Sequence, residues 1–246
     1  MLAPRQHVHL FLRPRQLPRD QPSMHKQSTP LRDVFEPATR HIAAHFDVFL
    51  TNAPACVPRY EALGARSAVL PVATNDAFFR PVPPRPELAC EVLVIGRPHP
   101  DRVEAVKALA GAFHTHVYGE GWDAHGVAGR GLIFGDDLLA ALNSARITVV
   151  FFLTGGGHAL VKVGLFDFPA AGALVATNEF PEVEPYLTYG KEIIGFTSTG
   201  DLLRKVRYYL DHPAEAEAIR AAGSARVRRD HTWRTAWPRV LEELRR

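Results

Sequence analysis

Cysteine is scarce in this sequence, and long apolar runs are absent from it. Only two cysteines, Cys56 and Cys90, occur among the 246 residues, and neither is flanked by histidine or a second cysteine at metal-ligand spacing. We therefore interpret both as reduced core thiols rather than as a disulfide or part of a site. No stretch approaches the ~18 consecutive apolar residues of a membrane span.

A secretory signal is also lacking, because arginine, proline and histidine are mixed throughout residues 1–22. A cytoplasmic location is therefore expected. The net charge is +3, and its positive excess lies in residues 1–40 and 220–246. This excess suits an anionic ligand, but it is too small to indicate nucleic acid, and no recognition helix or zinc spacing accompanies it.

The chain divides by composition into four parts. Residues 1–30 are rich in proline, arginine, glutamine and histidine, which predicts disorder. Residues 31–86 contain short strand and helix patterns and a proline-rich connector, so we predict the remnant of an amino-terminal domain plus a linker. Residues 87–230 are predicted to form the main domain, and residues 231–246 a terminal crossover helix.

Strand and helix patterns alternate through the main domain. Continuous apolar runs such as "CEVLVIG" (90–96) and "ITVVFFL" (147–153) are typical of strands that are buried on both faces, and amphipathic helical patterns separate them. This alternation predicts an α/β fold with a doubly wound parallel sheet. Ligands of such sheets bind at the carboxyl ends of the strands, so the loops at those ends are the candidate site.

The first two of these loops carry glycine and arginine. Gly96, Arg97 and Arg102 lie where a strand gives way to a helix, and guanidinium groups near a helix N-terminus favour a diphosphate. The alternative is an ordinary turn with solvated arginines. Gly119 and Gly121 would allow a flat ring to approach the backbone, although a simple glycine turn explains them equally well.

The next two loops add amides, a cation and a carboxylate. Gly156, Gly157 and His158 follow a buried strand and can form an anion-binding concavity, with Lys162 positioned to neutralise a phosphate; a flexible connection with solvated side chains is the alternative. In "VKVGLFDFPAAGALVATN" (161–178), a helix is expected to begin near Asp167. This carboxylate either caps that helix or accepts hydrogen bonds from a ribose.

Five segments, taken in order, resemble the donor-binding domain of GT-B glycosyltransferases, and most of all the spore-maturation CgeB-like group of the family 1/4 type. They are "VATNDAFFRP" (72–81), "VIGRPHPDR" (94–102), "VYGEGW" (117–122), "LFDFPAAGALVAT" (165–177) and the helical stretch 201–233. The resemblance begins near residue 46. It implies a Rossmann-like GT-B donor domain with a truncated remnant of a second α/β domain.

The resemblance assigns roles to the candidate residues. Arg97 and Arg102 resemble the cationic pair that holds the donor diphosphate, and Gly119 and Gly121 resemble the loop beside the base. Asp167 resembles the second acidic residue of a Glu-x7-Glu element, which contacts the ribose. The first acidic position of that element falls on Ala159, which departs from the family pattern.

The implied function is transfer of a glycosyl group from a nucleotide-diphosphate sugar to an unknown acceptor. The alternative is a truncated, non-catalytic module that binds a nucleotide sugar or a partner. Neither requires a cofactor or a metal, since no Asp-x-Asp motif stands at a strand end. Trp233, Trp237 and Leu241 give the terminal helix an apolar surface, which predicts a homo-oligomer or partner contact there; the alternative is that these side chains cover the remnant strands at 46–73.

Overall fold

The computed structural model describes residues 9–12, 48–51, 57–62, 64, 66–70, 72–152 and 161–245. These residues divide into two compact units, one comprising Met1–Pro71 with Ala236–Arg246 and the other Val72–Thr235. Within the described ranges, no helix combines the length and the apolar character that crossing a membrane requires. The predicted boundaries after residues 30, 86 and 230 stay a prediction.

The larger unit is built on a five-stranded parallel sheet. Its strands are β4 (Cys90–Ile95), β5 (Thr115–Tyr118), β6 (Ala145–Val150), β7 (Val175–Asn178) and β8 (Ile194–Phe196). Their order across the sheet is β5-β4-β6-β7-β8, and each neighbouring pair is parallel. The chain therefore runs from β4 outward to β5 and then returns to the other side of β4, which creates a topological switch point between β4 and β6.

Helices cover both faces of this sheet. They are α2 (Pro100–Ala112), α3 (Gly135–Ser144), α4 (Gly164–Ala170), α5 (Thr199–Asp211) and α6 (Pro213–Asp230). One core cluster joins Val92, Ile147, Leu109 of α2 and Val206 of α5. The other joins residues of β4, β7, α3 and α4, with Leu93, Leu142, Phe166 and Val175 among them. Apolar burial on both faces explains why the sequence reads as continuous apolar runs.

The predicted α/β fold with a doubly wound parallel sheet is confirmed. Two local expectations were wrong. Helix α4 begins at Gly164, three residues before Asp167, and Val163 rather than Asp167 occupies its N-cap. The sequence "GDDLLAALNSAR" (135–146) predicts an aspartate N-cap for α3, but Phe134 occupies that position, so neither Asp136 nor Asp137 caps the helix. In α4 the buried apolar face begins at Leu165, two residues before Asp167, so this helix starts earlier than the local capping signal indicates.

The smaller unit contains three described strands. Strands β1 (His9–Leu12) and β2 (Val48–Thr51) pair antiparallel, and β2 pairs parallel with β3 (Ser67–Val69). Helix α1 (Val57–Glu61) lies between β2 and β3 in the chain. The strand at His9–Leu12 corrects the prediction of disorder for those four residues, because "HLFL" finds a backbone partner in β2 that composition cannot reveal.

The chain ends in α7 (Trp233–Arg245), which spans the boundary between the two units. Trp237 is 41% exposed and Leu241 47% exposed, so this helix keeps apolar surface open to solvent. Self-association through it stays a prediction.

Candidate functional site

The carboxyl ends of β4 and β6 frame the candidate site. These strands are neighbours, and the chain leaves them toward opposite sides of the sheet, so the loops that follow them diverge and leave a crevice. Gly96 follows β4, and Phe151 follows β6. The sequence predicts the site residues in such loops.

Arg102 reaches into this crevice from the first turn of α2. Its side chain is buried, its Nη2 lies 3.4 Å from the Phe151 carbonyl oxygen, and its guanidinium carbon lies 5.5 Å from the centre of the Phe151 ring. A Cβ placed on Gly96 would approach Arg102 Nη1 to 3.0 Å. Glycine at position 96 therefore leaves room for the guanidinium group beside the end of β4.

Lys162 approaches the same point from the other side of the sheet. Its half-buried Nζ lies 3.5 Å from the carbonyl oxygen of Phe151, the same atom that Arg102 contacts. Two cations thus converge on one oxygen at the switch point. Both contacts are long for hydrogen bonds.

Arg97 is not joined to this pair by any contact of the described residues. Its guanidinium forms an ion pair with Glu120, which follows β5. The two side chains are 59% and 55% exposed, and ion pairs this exposed stabilise a fold by about 0–1 kcal/mol. The structure therefore brings Lys162, rather than Arg97, together with Arg102, and a role for Arg97 in holding a diphosphate stays a prediction.

The loops after β4 and β5 interlock through glycine. Gly119 has φ +140°, and a Cβ there would lie 2.2 Å from the Gly96 carbonyl oxygen. That oxygen also accepts a hydrogen bond of 2.8 Å from Trp122 Nε1. Glycine at 119 is therefore required by packing of backbone against backbone, whereas Gly121, with φ +92°, is required by its conformation. Contact of either residue with a base stays a prediction.

Three of the predicted site residues, Gly156, Gly157 and His158, lie outside the described residues, as does Ala159.

Asp167 is buried and hydrogen-bonded on α4. The Thr74 hydroxyl donates to its Oδ1 at 2.7 Å. Thr74 also donates its backbone N–H to the His231 carbonyl and accepts from the Trp233 N–H, each at 2.9 Å. Asp167 thereby fixes the place where the segments around residues 74 and 232 run side by side. Thr74 could not be predicted as the partner of Asp167, because the two residues lie 93 positions apart in the chain.

A cavity of about 530 Å³ lies beside the end of β5, and the sequence did not predict it. Its lining includes Arg85, Glu87, Tyr118, Leu132, Phe134 and Asp137. Tyr118 is the last residue of β5 and is buried, and none of the residues that the structure describes hydrogen-bonds to its hydroxyl. The N–H of Gly119 donates to the Gly131 carbonyl at 2.7 Å, which ties the loop that carries Leu132 and Phe134 to the end of β5.

The carboxyl of Asp167 makes stability depend on pH. Burial raises its pKa from 3.8 to about 6, against the opposing effect of the Thr74 hydrogen bond. The folded chain therefore binds more protons than the unfolded chain between these values, and the associated stabilisation, complete below about pH 4, is lost as the pH rises through 6. We expect Asp167→Asn to remove this loss. Between pH 4 and pH 7, the free energy of unfolding of the variant should gain roughly 2–3 kcal/mol relative to that of the unaltered chain, as measured by denaturant unfolding.

Two comparisons sharpen this test. Thr74→Val keeps the shape of the side chain but removes the hydroxyl, so it should raise the pKa of Asp167 further and move the loss of stability to higher pH. His116 acts in the opposite sense, because burial lowers its pKa to about 4. Its contribution to the free energy of unfolding is therefore lost as the pH falls from 6.5 toward 4. Equal pH profiles for Asp167→Asn and the unaltered chain would contradict the assignment.

The family model described as glycosyl transferase-like matches residues 97–242, which is more than half of the chain. The chain belongs to this glycosyl transferase-like family. The matched range includes Arg102, Lys162 and Asp167, and it extends from the loop after β4 into α7. No curated protein matches the sequence.

Solved structures place this glycosyl transferase-like chain in the GT-B fold. Sucrose-phosphate synthase from Thermosynechococcus elongatus superposes with a TM-score of 0.64 at 15% identity, over 89% of this chain and 63% of that one. HepE from Anabaena, in complex with UDP and glucose, superposes with a TM-score of 0.65 at 11% identity, over 85% of this chain and 65% of that one. Trehalose 6-phosphate synthase from Burkholderia multivorans superposes with a TM-score of 0.59 at 13% identity, over 87% of this chain and 63% of that one. The chain spans less than two thirds of each.

Proposed function

We propose that the chain binds a nucleotide-diphosphate sugar and transfers the glycosyl group to an acceptor. The observation that carries this proposal is the convergence of Arg102 and Lys162 on the Phe151 carbonyl at the switch point between β4 and β6. A diphosphate placed there would replace one shared carbonyl oxygen with several anionic oxygens, which pair more strongly with both cations. The HepE complex with UDP and glucose supports this class of ligand.

In this proposal the cations act on the leaving group. As the bond between the sugar and the diphosphate breaks, negative charge grows on the β-phosphate. Arg102 would stabilise that charge from a buried position, where an electrostatic interaction is stronger than in bulk water. Lys162 would contribute from the side of β6. Arg97 would join them only after releasing Glu120, which a weak surface ion pair permits.

The nucleoside would extend from the switch point toward β5. Gly96 and Gly119 touch each other at the ends of β4 and β5, and the cavity beside Tyr118 lies next to them. Its exposed apolar side chains, Leu132 and Phe134, offer flat surface for a base. Contact of Asp167 with the ribose remains part of the proposal, through the carboxylate oxygen that Thr74 does not occupy.

Within the family, we propose a place in the CgeB-like group. The support is the order of the five segments, from "VATNDAFFRP" (72–81) to the closing helices at 201–233. The first segment contains Thr74, and the third supplies Gly119 and the buried Trp122. A cytoplasmic location is part of the same proposal.

Calorimetric titration with UDP-, GDP- and ADP-sugars, alongside an assay for donor hydrolysis, tests this function. Micromolar to millimolar binding with slow release of free sugar is expected. Binding without any turnover, even when candidate acceptor glycans are added, would instead support the alternative of a nucleotide-sugar-binding module. Absence of binding to every nucleotide sugar would overturn both.

A further inference from the structure

The cavity beside β5 has two exposed apolar side chains at its rim. Phe134 is 70% exposed and Leu132 is 52% exposed, and they lie two residues apart in the same loop. Large apolar groups this exposed, on the wall of a cavity, mark a surface for a ligand with a flat apolar face. An aromatic base stacks on such a surface whatever its identity, so stacking alone does not select among bases.

The polar groups of the cavity are of two opposite kinds. Arg85 Nη1 forms an ion pair of 2.6 Å with Asp137, and a guanidinium group carries further N–H donors beyond the one used there. Glu87 lies two residues away, and its carboxylate has no hydrogen-bond or ion-pair partner in the described part of the chain. The lining of the cavity therefore includes a guanidinium with further donors and a separate carboxylate with two acceptor oxygens.

These two groups match the hydrogen-bonding edges of one base. Guanine offers two adjacent acceptors, O6 and N7, which pair with an arginine fork. On its other edge it offers two adjacent donors, N1–H and the N2 amino group, which pair with a carboxylate. Uracil has a single N–H for Glu87, and adenine places its N6 amino donor where Arg85 would need an acceptor.

We propose that the base recognised here is guanine, read by Arg85 and Glu87, so that the donor is a GDP-sugar. This inference rests on the proposed function, since it places the diphosphate at Arg102 and Lys162. It predicts that the cavity selects one base among those of the nucleotides that the fold could bind. Phe134 and Leu132 then supply affinity without selectivity.

Calorimetric titration with GDP, UDP, ADP and IDP tests the assignment. We expect GDP to bind at least about 10-fold more tightly than UDP or ADP, since one good bidentate pair discriminates by about 1–3 kcal/mol. IDP lacks the N2 amino group and should bind several-fold more weakly than GDP. Glu87→Met, which removes both acceptor oxygens, should remove the difference between GDP and IDP, and Arg85→Met should weaken GDP more than UDP.

Glu104→Met is the matched control, because Glu104 is exposed on α2 and does not line the cavity. It should leave all four affinities unchanged. Tighter binding of UDP or ADP than of GDP would overturn the guanine inference and leave the proposed function standing. A preference for GDP that both cavity variants retain would overturn the roles of Arg85 and Glu87. Failure to bind any of the four would contradict the proposed function as well.

Discussion

Replacing Arg102 with methionine should weaken binding of a nucleotide-diphosphate sugar by at least about 100-fold. Arg102 is buried at the switch point, where its guanidinium shares the Phe151 carbonyl with Lys162. A hydrogen bond to a charged group contributes about 1.5–3 kcal/mol, so losing two bonds to phosphate oxygens readily costs this factor. Calorimetric titration of the variant against the unaltered chain measures the change.

The matched control is Arg204→Met. Arg204 lies on α5 with its side chain 75% exposed and paired with Asp201, so the same chemical change should leave affinity unaltered. Because Arg102 is buried, circular dichroism must first establish that its variant is folded. Lys162→Met provides a second variant, at a half-buried position, and should weaken binding about 10-fold. Unchanged affinity in a folded Arg102→Met protein would contradict the proposed diphosphate site.

Replacing Gly119 with alanine should destabilise the larger unit by about 3 kcal/mol or more. The new Cβ would lie 2.2 Å from the Gly96 carbonyl oxygen, and φ is +140° at this position. Neither the conformation nor the clash can be relieved without separating the loops after β4 and β5. Thermal unfolding should show a loss of several degrees or failure to fold.

Gly126→Ala separates the two contributions. Gly126 also has a positive φ, +73°, but a Cβ there would meet nothing within 4 Å. This variant should cost only about 1 kcal/mol, which is the conformational part alone. If Gly119→Ala and Gly126→Ala were equally mild, the backbone contact between Gly96 and Gly119 would not be a constraint on the fold.

The parallel sheet could be predicted because its strands are continuous apolar runs. Both core clusters contain residues of β4 and of β6. Because these strands bury apolar side chains on both faces, they can be recognised from the local sequence alone. The start of α4 could not be placed in the same way. "VKVGLFD" is apolar enough for a strand, and only packing of Leu165 and Phe166 against the second core cluster makes it helical from Gly164.

The candidate site was predictable in part, for a comparable reason. Arg102 and Lys162 follow neighbouring strands, so the rule for parallel sheets brings them together from sequence alone. The partners of Arg97 and Asp167 could not be predicted, since Glu120 and Thr74 are specified by tertiary geometry. The cavity at Leu132 and Phe134 could not be predicted, because the exposure of these two apolar side chains is set by the tertiary structure.

A crystal structure of the chain with a nucleoside diphosphate bound tests the central claim most directly. We expect the β-phosphate between the ends of β4 and β6, with its oxygens about 3 Å from the guanidinium of Arg102 and from Lys162 Nζ. A diphosphate bound elsewhere, with both side chains still directed at the Phe151 carbonyl, would contradict it.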